Sequence, residues 1–142
     1  MTLQNTDVGT GQVTAGTTRR SPEIFIPLGA RDQEPSFWAW PGGFTDTGKH
    51  YTRNGVKMRM GTGNVDVNMM SSKLKHDLRL RSEALRSGGA VGDILRLEVP
   101  PVGSTYDYYV EVIPAGTTMH SVYDALCTQA VGGISKKRFG YY

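Results

Sequence analysis

Cysteine is all but missing from this chain of 142 residues, and histidine is scarce. The single Cys127 excludes an internal disulfide, and with only His50, His76 and His120 beside it there is no basis for a zinc cluster. No histidine is followed two positions later by lysine, and no Asp or Glu stands two positions before one. Those spacings mark phosphodiesterases built on a histidine and lysine pair and nucleases that hold a metal between carboxylates, so neither chemistry finds its residues here. The clustered carboxylates of a two-metal site are lacking as well. Cys127 falls on the stripe of a short helix and reads as core rather than as a nucleophile. Long hydrophobic runs are absent: nothing approaches the roughly 20 apolar residues of a membrane-spanning helix. The polar stretch from Met1 to Arg20 has no apolar centre of the kind a secretory signal needs. The expectation is a cytoplasmic protein with no membrane partner, no cofactor, no metal and no catalytic residue of its own.

What is present is an ordinary globular composition, 38% hydrophobic and 20% charged, at a length that suits one domain. The net charge of +3 and a pI near 9.1 are mild, but the charge is unevenly spread. Lys49, Arg53, Lys57, Arg59, Lys73, Lys75, Arg79, Arg81 and Arg86 face only Asp66, Asp77 and Glu83 over the same stretch, whereas Glu98 to Asp124 holds four acids and no Lys or Arg. Strands need solvated faces, and that explains any single base among these. Nine bases in 38 residues, with Lys136-Lys137-Arg138 besides, point to a polyanionic partner.

Along the chain, Met1 to Arg20 is rich in Thr, Gly, Gln and Asn without periodic apolar positions and reads as a flexible leader or linker, leaving residues 21–142 as the folded domain. Strands are expected at Glu23–Leu28, Val56–Met60, Val65–Met70, Leu78–Arg81, Ile94–Val99 and Tyr106–Ile113. Gly61-Thr62-Gly63-Asn64 makes a hairpin of the second and third, with Val65, Val67 and Met69 inward and Lys57, Arg59, Asp66 and Asn68 outward. Met58, Met60, Met69 and Met70 are expected to fill core gaps. Ser121 to Cys127 reads as a short amphipathic helix with Val122 and Leu126 on its stripe. The fold class is mostly β: a small open barrel of short strands with a few short helices. Phe37 and at least one tryptophan of Trp38 and Trp40 are expected to plug its end. Gly43 to Lys49 has the spacing of a phosphate-binding loop, but His50 replaces the metal-holding hydroxyl, and neither a preceding strand nor a following helix is present.

The densest stretch runs from Asn68 to Val99. Asn68 to Asp77 is polar and cationic and reads as a loop, after which Leu78-Arg79-Leu80-Arg81 alternates so that both arginines share one face. Ser82 is suited to cap a single turn ended by Ser87-Gly88-Gly89, and Gly92-Asp93 turns the chain into the strand Ile94 to Val99. A cationic loop backed by a sheet is a device for entering a DNA groove.

Taken in order, Glu23-Ile24-Phe25-Ile26-Pro27-Leu28, Phe37-Trp38-Ala39-Trp40-Pro41, the run from Asp77 to Arg86, Gly92-Asp93-Ile94-Leu95 and the terminal Lys136-Lys137-Arg138-Phe139-Gly140-Tyr141-Tyr142 resemble the C-terminal DNA-recognition domain of restriction endonucleases of the NgoAVII and BfiI type. That domain belongs to the B-three-like pseudobarrel family, shared with plant transcription factors and the effector domain of EcoRII. The resemblance covers roughly Arg20 to Tyr142. It implies a seven-stranded open antiparallel pseudobarrel that grips the major groove of double-stranded DNA between two arms. The N-terminal arm would be Gly29 to Ser36, with Arg31, Asp32, Gln33, Glu34 and Ser36 at the DNA. The C-terminal arm would be Asn68 to Arg81, bringing Asn68, Ser71, Ser72, Lys73, Lys75, His76, Asp77, Arg79 and Arg81. Lys136, Lys137 and Arg138 would hold phosphates. The chemistry suits base reading, since Arg matches guanine, Gln and Asn match adenine, and Asp or Glu accepts from cytosine. The resemblance further implies a prokaryotic enzyme whose nuclease domain lies N-terminal to this domain, and the isolated domain is expected to be a monomer. The competing expectation is a structural protein that binds RNA or other nucleic acid without sequence preference.

Overall fold

Alternating apolar and polar positions generate most of the observed architecture. The computed structural model describes residues 1–8, 22–75 and 77–142; His76 and the part of the expected linker from Gly9 onward lie outside the described residues. Strand β1 (Glu23–Pro27) leads into helix α1 (Leu28–Gln33), then β2 (Thr45–Asp46), β3 (His50–Met60), β4 (Gly63–Ser72) and β5 (Asp77–Arg81). Helix α2 (Glu83–Ser87), β6 (Ile94–Glu98), β7 (Tyr108–Ile113) and helix α3 (Thr118–Leu126) follow, with a closing pair β8 (Gln129–Ala130) and β9 (Arg138–Phe139). The main sheet has seven strands in the order β1-β5-β4-β3-β7-β6, with β2 added along β3. Its pairs are antiparallel except β3 with β7, which run parallel. The sheet curls strongly into an open half-barrel, so the mostly β, open-barrel expectation describes the fold.

Side chains at every second position of the central strands make the core. Ile24, Ile26, Val56, Met58, Val67, Met69, Leu78 and Leu80 are each no more than 2% exposed, and burying a side chain of that size is worth about 1.5 to 3 kcal/mol. Trp38 is buried at one end of the barrel, edge-on to Phe37 at 4.9 Å, and its indole N–H donates to the Ala30 carbonyl at 3.1 Å. Tyr108 closes the same end: its hydroxyl donates to the Phe37 carbonyl at 2.6 Å and accepts from Arg53 Nη1 at 3.0 Å. The Ser82 cap is present, with its hydroxyl accepting from the Leu85 amide at 3.5 Å and Leu85 fully buried beneath it.

Several sequence expectations are corrected. The segment Met1 to Val8 is no loose leader. Leu3 donates to the Asp93 carbonyl at 2.8 Å, Thr2 donates to that of Arg138 at 2.9 Å, and Leu3 and Val8 are buried. Two well-placed apolar side chains and edge pairing are enough to dock a segment that shows no periodicity. Most of the expected N-terminal arm, Gly29 to Ser36, is helix α1. Strand β3 reaches back to His50 because a bulge between Arg53 and Val56 interrupts its alternation. At that bulge Gly55 takes a positive φ of 67°, and its N–H donates to Asn68 Oδ1 at 3.0 Å. Strand β4 continues to Ser72, so the first half of the expected cationic loop is strand. Helix α3 starts earlier than expected and buries no residue; Val122 is 55% exposed, so the expected apolar stripe does not pack. Met70 lies on the outer face, opposite Arg79.

Candidate nucleic-acid interface

The pairing register assembles one polar face on the outside of the sheet. Glu23 lies opposite Arg81 and Phe25 opposite Arg79 across β1 and β5, while Asn68 and Met70 of β4 lie opposite Arg81 and Arg79 on the other side. Residues opposite one another share a face, so these side chains stand together, with Asp77 and Ser72 at the same end. Glu23 organises the face although it is itself buried: it accepts from Arg79 Nη1 at 3.1 Å and pairs with Arg81 Nε at 3.2 Å. Arg79 also bonds both oxygens of Asp77, at 2.9 and 3.2 Å, and covers the Phe25 ring at 5.2 Å. Burial works against the Arg79 charge, but the hydrogen bonds and charges of Asp77 and Glu23 more than offset it, and the guanidinium titrates above its usual range. Its side chain is 12% exposed, against 48% for Arg81. Arg79 is therefore a clamp between strands, and Arg81 is the arginine presented to solvent.

The two expected arms meet at the end of β4, at the inward-facing Ser71. Helix α1 presents Arg31, whose Nε donates to Asp32 Oδ1 at 2.7 Å and whose Nη1 donates across to the buried Ser71 hydroxyl of β4 at 2.9 Å. The guanidinium lies 4.1 Å from the centre of the Trp40 ring, a stacked cation–π geometry. Trp40 meets Tyr51 edge-on at 5.0 Å, and Tyr51 in turn carries Lys73 Nζ at 4.7 Å. Lys73, the first residue of the β4–β5 loop, donates to both oxygens of Asp46 at 2.7 Å. That hydrogen bond raises the Lys73 pKa above the usual lysine value, and the same bond, with one from the Gly48 N–H, lowers that of Asp46. Asp32, Lys49 and Lys75 are exposed beside this junction, the Lys49 carbonyl accepting from the Lys73 amide at 3.2 Å; Glu34 and Ser36 are exposed as well, and Glu34 lines a separate cavity.

Of the residues expected at DNA, the structure thus brings Ser72, Asp77, Arg79 and Arg81 to one face and gathers Arg31, Asp32 and Lys73 at its end. Others have different work. Ser71 faces inward and holds Arg31 and the Asp77 carbonyl, and Asn68 caps the bulge of β3. Gln33 is paired amide to amide with Gln129, at 2.7 and 3.0 Å. Lys137 is the clearest correction. Rather than reaching a phosphate, its ammonium is buried, donating to Asp7 Oδ1 at 2.7 Å and to the Phe25 carbonyl at 2.5 Å. Burial pulls its pKa below the usual lysine range, and the Asp7 carboxylate opposes that fall. Arg138 bonds Asp124 and donates to the Cys127 carbonyl at 3.2 Å, tying down the end of α3, so only Lys136 of the terminal cluster is fully presented. His76 lies outside the described residues.

Sequence reasoning passed over Glu23, Asp46 and Tyr51, and took Trp40 only as a candidate plug of the barrel end. Glu23 had a signal: it occupies an outward position in a strand whose Ile24 and Ile26 point inward. Asp46 had none, because its partner is 27 residues away. A separate cavity of about 580 Å³ opens on the unclosed side of the half-barrel, lined by Ile26, Leu95, Phe139, Tyr123 and Tyr142 among others, and includes none of the arm cations. Among the described residues, no group of three or more His, Cys, Asp or Glu is placed to hold a metal ion, and no helix is long and apolar enough to cross a membrane. No protein-family model matches the chain, and no curated protein matches it.

Proposed function

We propose that this chain reads a specific sequence in the major groove of double-stranded DNA, as the target-recognition domain of a restriction endonuclease whose nuclease chemistry resides in a separate, N-terminal domain. One observation carries the reading: helix α1 reaches β4 through Arg31 and Ser71, β2 reaches the β4–β5 loop through Asp46 and Lys73, and these segments, distant in sequence, gather cations and hydrogen-bonding groups at the end of β4, next to the outer face that carries Arg79 and Arg81. Phosphate contacts position a protein on DNA and base contacts specify the site. In this arrangement Lys73, Lys75 and Lys49 supply the first, and Arg81, Ser72 and Asp32 the second. Arg31 and Arg79, held in internal ion pairs, fix the shape of the surface that carries them.

A competition binding assay at physiological salt, with a random duplex pool, single strands and RNA as competitors, tests the reading. The duplex should win, and displacement by RNA or single strands would favour a general nucleic-acid binder. Lys75→Ala should weaken all duplexes about equally and lower the slope of log affinity against log salt by about one. The protein should bind without cutting: a plasmid incubated in magnesium, manganese or EDTA in turn should stay supercoiled. Nicking that tracks the protein through chromatography and is lost on replacing His50, His76 or His120 would contradict it.

A further inference from the structure

The contact between Lys73 and Asp46 is placed oddly for a DNA-binding surface, since the cation best situated at the arm junction is already neutralised by a carboxylate of β2. Asp46 is fixed by its own turn: its Oδ1 accepts from the Gly48 N–H at 2.8 Å, and Thr47 donates from both its N–H and its hydroxyl to the His50 carbonyl, at 2.8 and 2.9 Å. Lys73 has a long side chain at the mouth of a short loop, and its Nζ is held in a fork by the two Asp46 oxygens at 2.7 Å above the Tyr51 ring. The pair sits at the solvent edge, Lys73 33% and Asp46 50% exposed, so an incoming anion can reach the ammonium without unfolding anything. A carboxylate on a lysine presents charge and acceptors much as a phosphate does.

We propose that the Asp46–Lys73 ion pair is a latch that ties the C-terminal arm to β2 in the free protein and that a DNA phosphate displaces, with Asp46 holding down affinity for duplexes of any sequence. The inference rests on the DNA-reading function proposed above. Phosphates carry no sequence information, so the latch acts on all duplexes alike. It moves Lys73 from one anion to another, and the contribution of that lysine to binding is reduced by what the internal pair is worth.

Asp46→Asn tests this, because the amide oxygen still accepts from Gly48 while the charge is gone. Against both a selected and a random duplex, Asp46→Asn should bind roughly two- to fivefold tighter than the wild type, the scale of an exposed ion pair. The gain should shrink as salt is raised, since salt screens the exposed pair. In a Lys73→Met background Asp46→Asn should bring no gain. A wild type that binds duplex DNA while Asp46→Asn binds it no more tightly would overturn the latch alone, as would a gain that persists without Lys73, which would report general charge removal. A wild type that prefers no duplex over single strands or RNA would instead remove the DNA-reading function, and the latch with it.

Discussion

Lys137→Met is expected to destabilise the fold by about 3 to 5 kcal/mol, the usual consequence of stranding one member of a buried ion pair. Lys137 and Asp7 have side chains 6% and 0% exposed, and their charged atoms are 2.7 Å apart. The same carboxylate accepts from the amides of Gln4 and Phe25 at 2.8 and 2.9 Å, so it knits the N-terminal segment, β1 and the chain just before β9 into one unit. Without the ammonium, the two amides are left to support a buried negative charge by themselves. For a domain of this size, whose total stability is of the order of 5 to 15 kcal/mol, the loss should appear as a large fall in the urea midpoint with little change in slope. The double variant Asp7→Leu with Lys137→Met should recover much of it, because removing both charges leaves nothing uncompensated. A single-variant cost below about 1 kcal/mol would mean that the pair is solvated. The salt dependence of DNA binding should not change in Lys137→Met, since Lys137 reaches no phosphate from its buried position.

Arg81→Ala should separate recognition from stability. Arg81 is 48% exposed with its Nε 3.2 Å from Glu23, and a bidentate contact to guanine is worth about 1 to 3 kcal/mol of discrimination. The expected result is a loss of that size on the preferred duplex, little change on random DNA and a relaxed preference at one base position. Arg79→Ala makes the internal comparison: it removes the strand clamp and leaves the buried Glu23 with one arginine, so it should lower the unfolding midpoint first and affect all duplexes through stability. Equal binding losses on selected and random duplexes for Arg81→Ala, at unchanged stability, would mean that Arg81 contacts a phosphate.

The contrast between these two arginines shows how much could be read from the sequence and where reading stopped. Alternation in Leu78-Arg79-Leu80-Arg81 places both guanidinium groups on the outer face, and the structure agrees. It cannot say that Glu23 comes to lie between them, because that depends on the pairing of β1 with β5 across more than 50 residues. The strands and the capped turn at Ser82 followed from local rules of period and capping, and those rules held. Lys137 failed for the same reason that Glu23 was missed. In a Lys-Lys-Arg run every side chain defaults to solvent, and burial is decided by a partner 130 residues away. Asn54-Gly55 broke the alternation of β3 and hid its first half, since a bulge shifts which face each residue takes. Helix α3 shows the converse error: its amphipathic pattern is real, but nothing among the described residues covers Val122. The polar outer face was therefore readable strand by strand, and its internal ion pairing was not.

Selection from a pool of fully randomised duplexes, carried through several rounds at physiological salt with the wild-type chain, puts the DNA-reading function to trial. If the face of β1, β5 and β4 and its two arms read bases, the pool should converge on one short sequence. That sequence should be bound about a thousandfold or more tighter than random duplex, the lower range for specific protein–DNA recognition. A pool that stays random after repeated rounds, while the protein still retains DNA or retains RNA equally well, would show that these cations hold backbones and read no sequence.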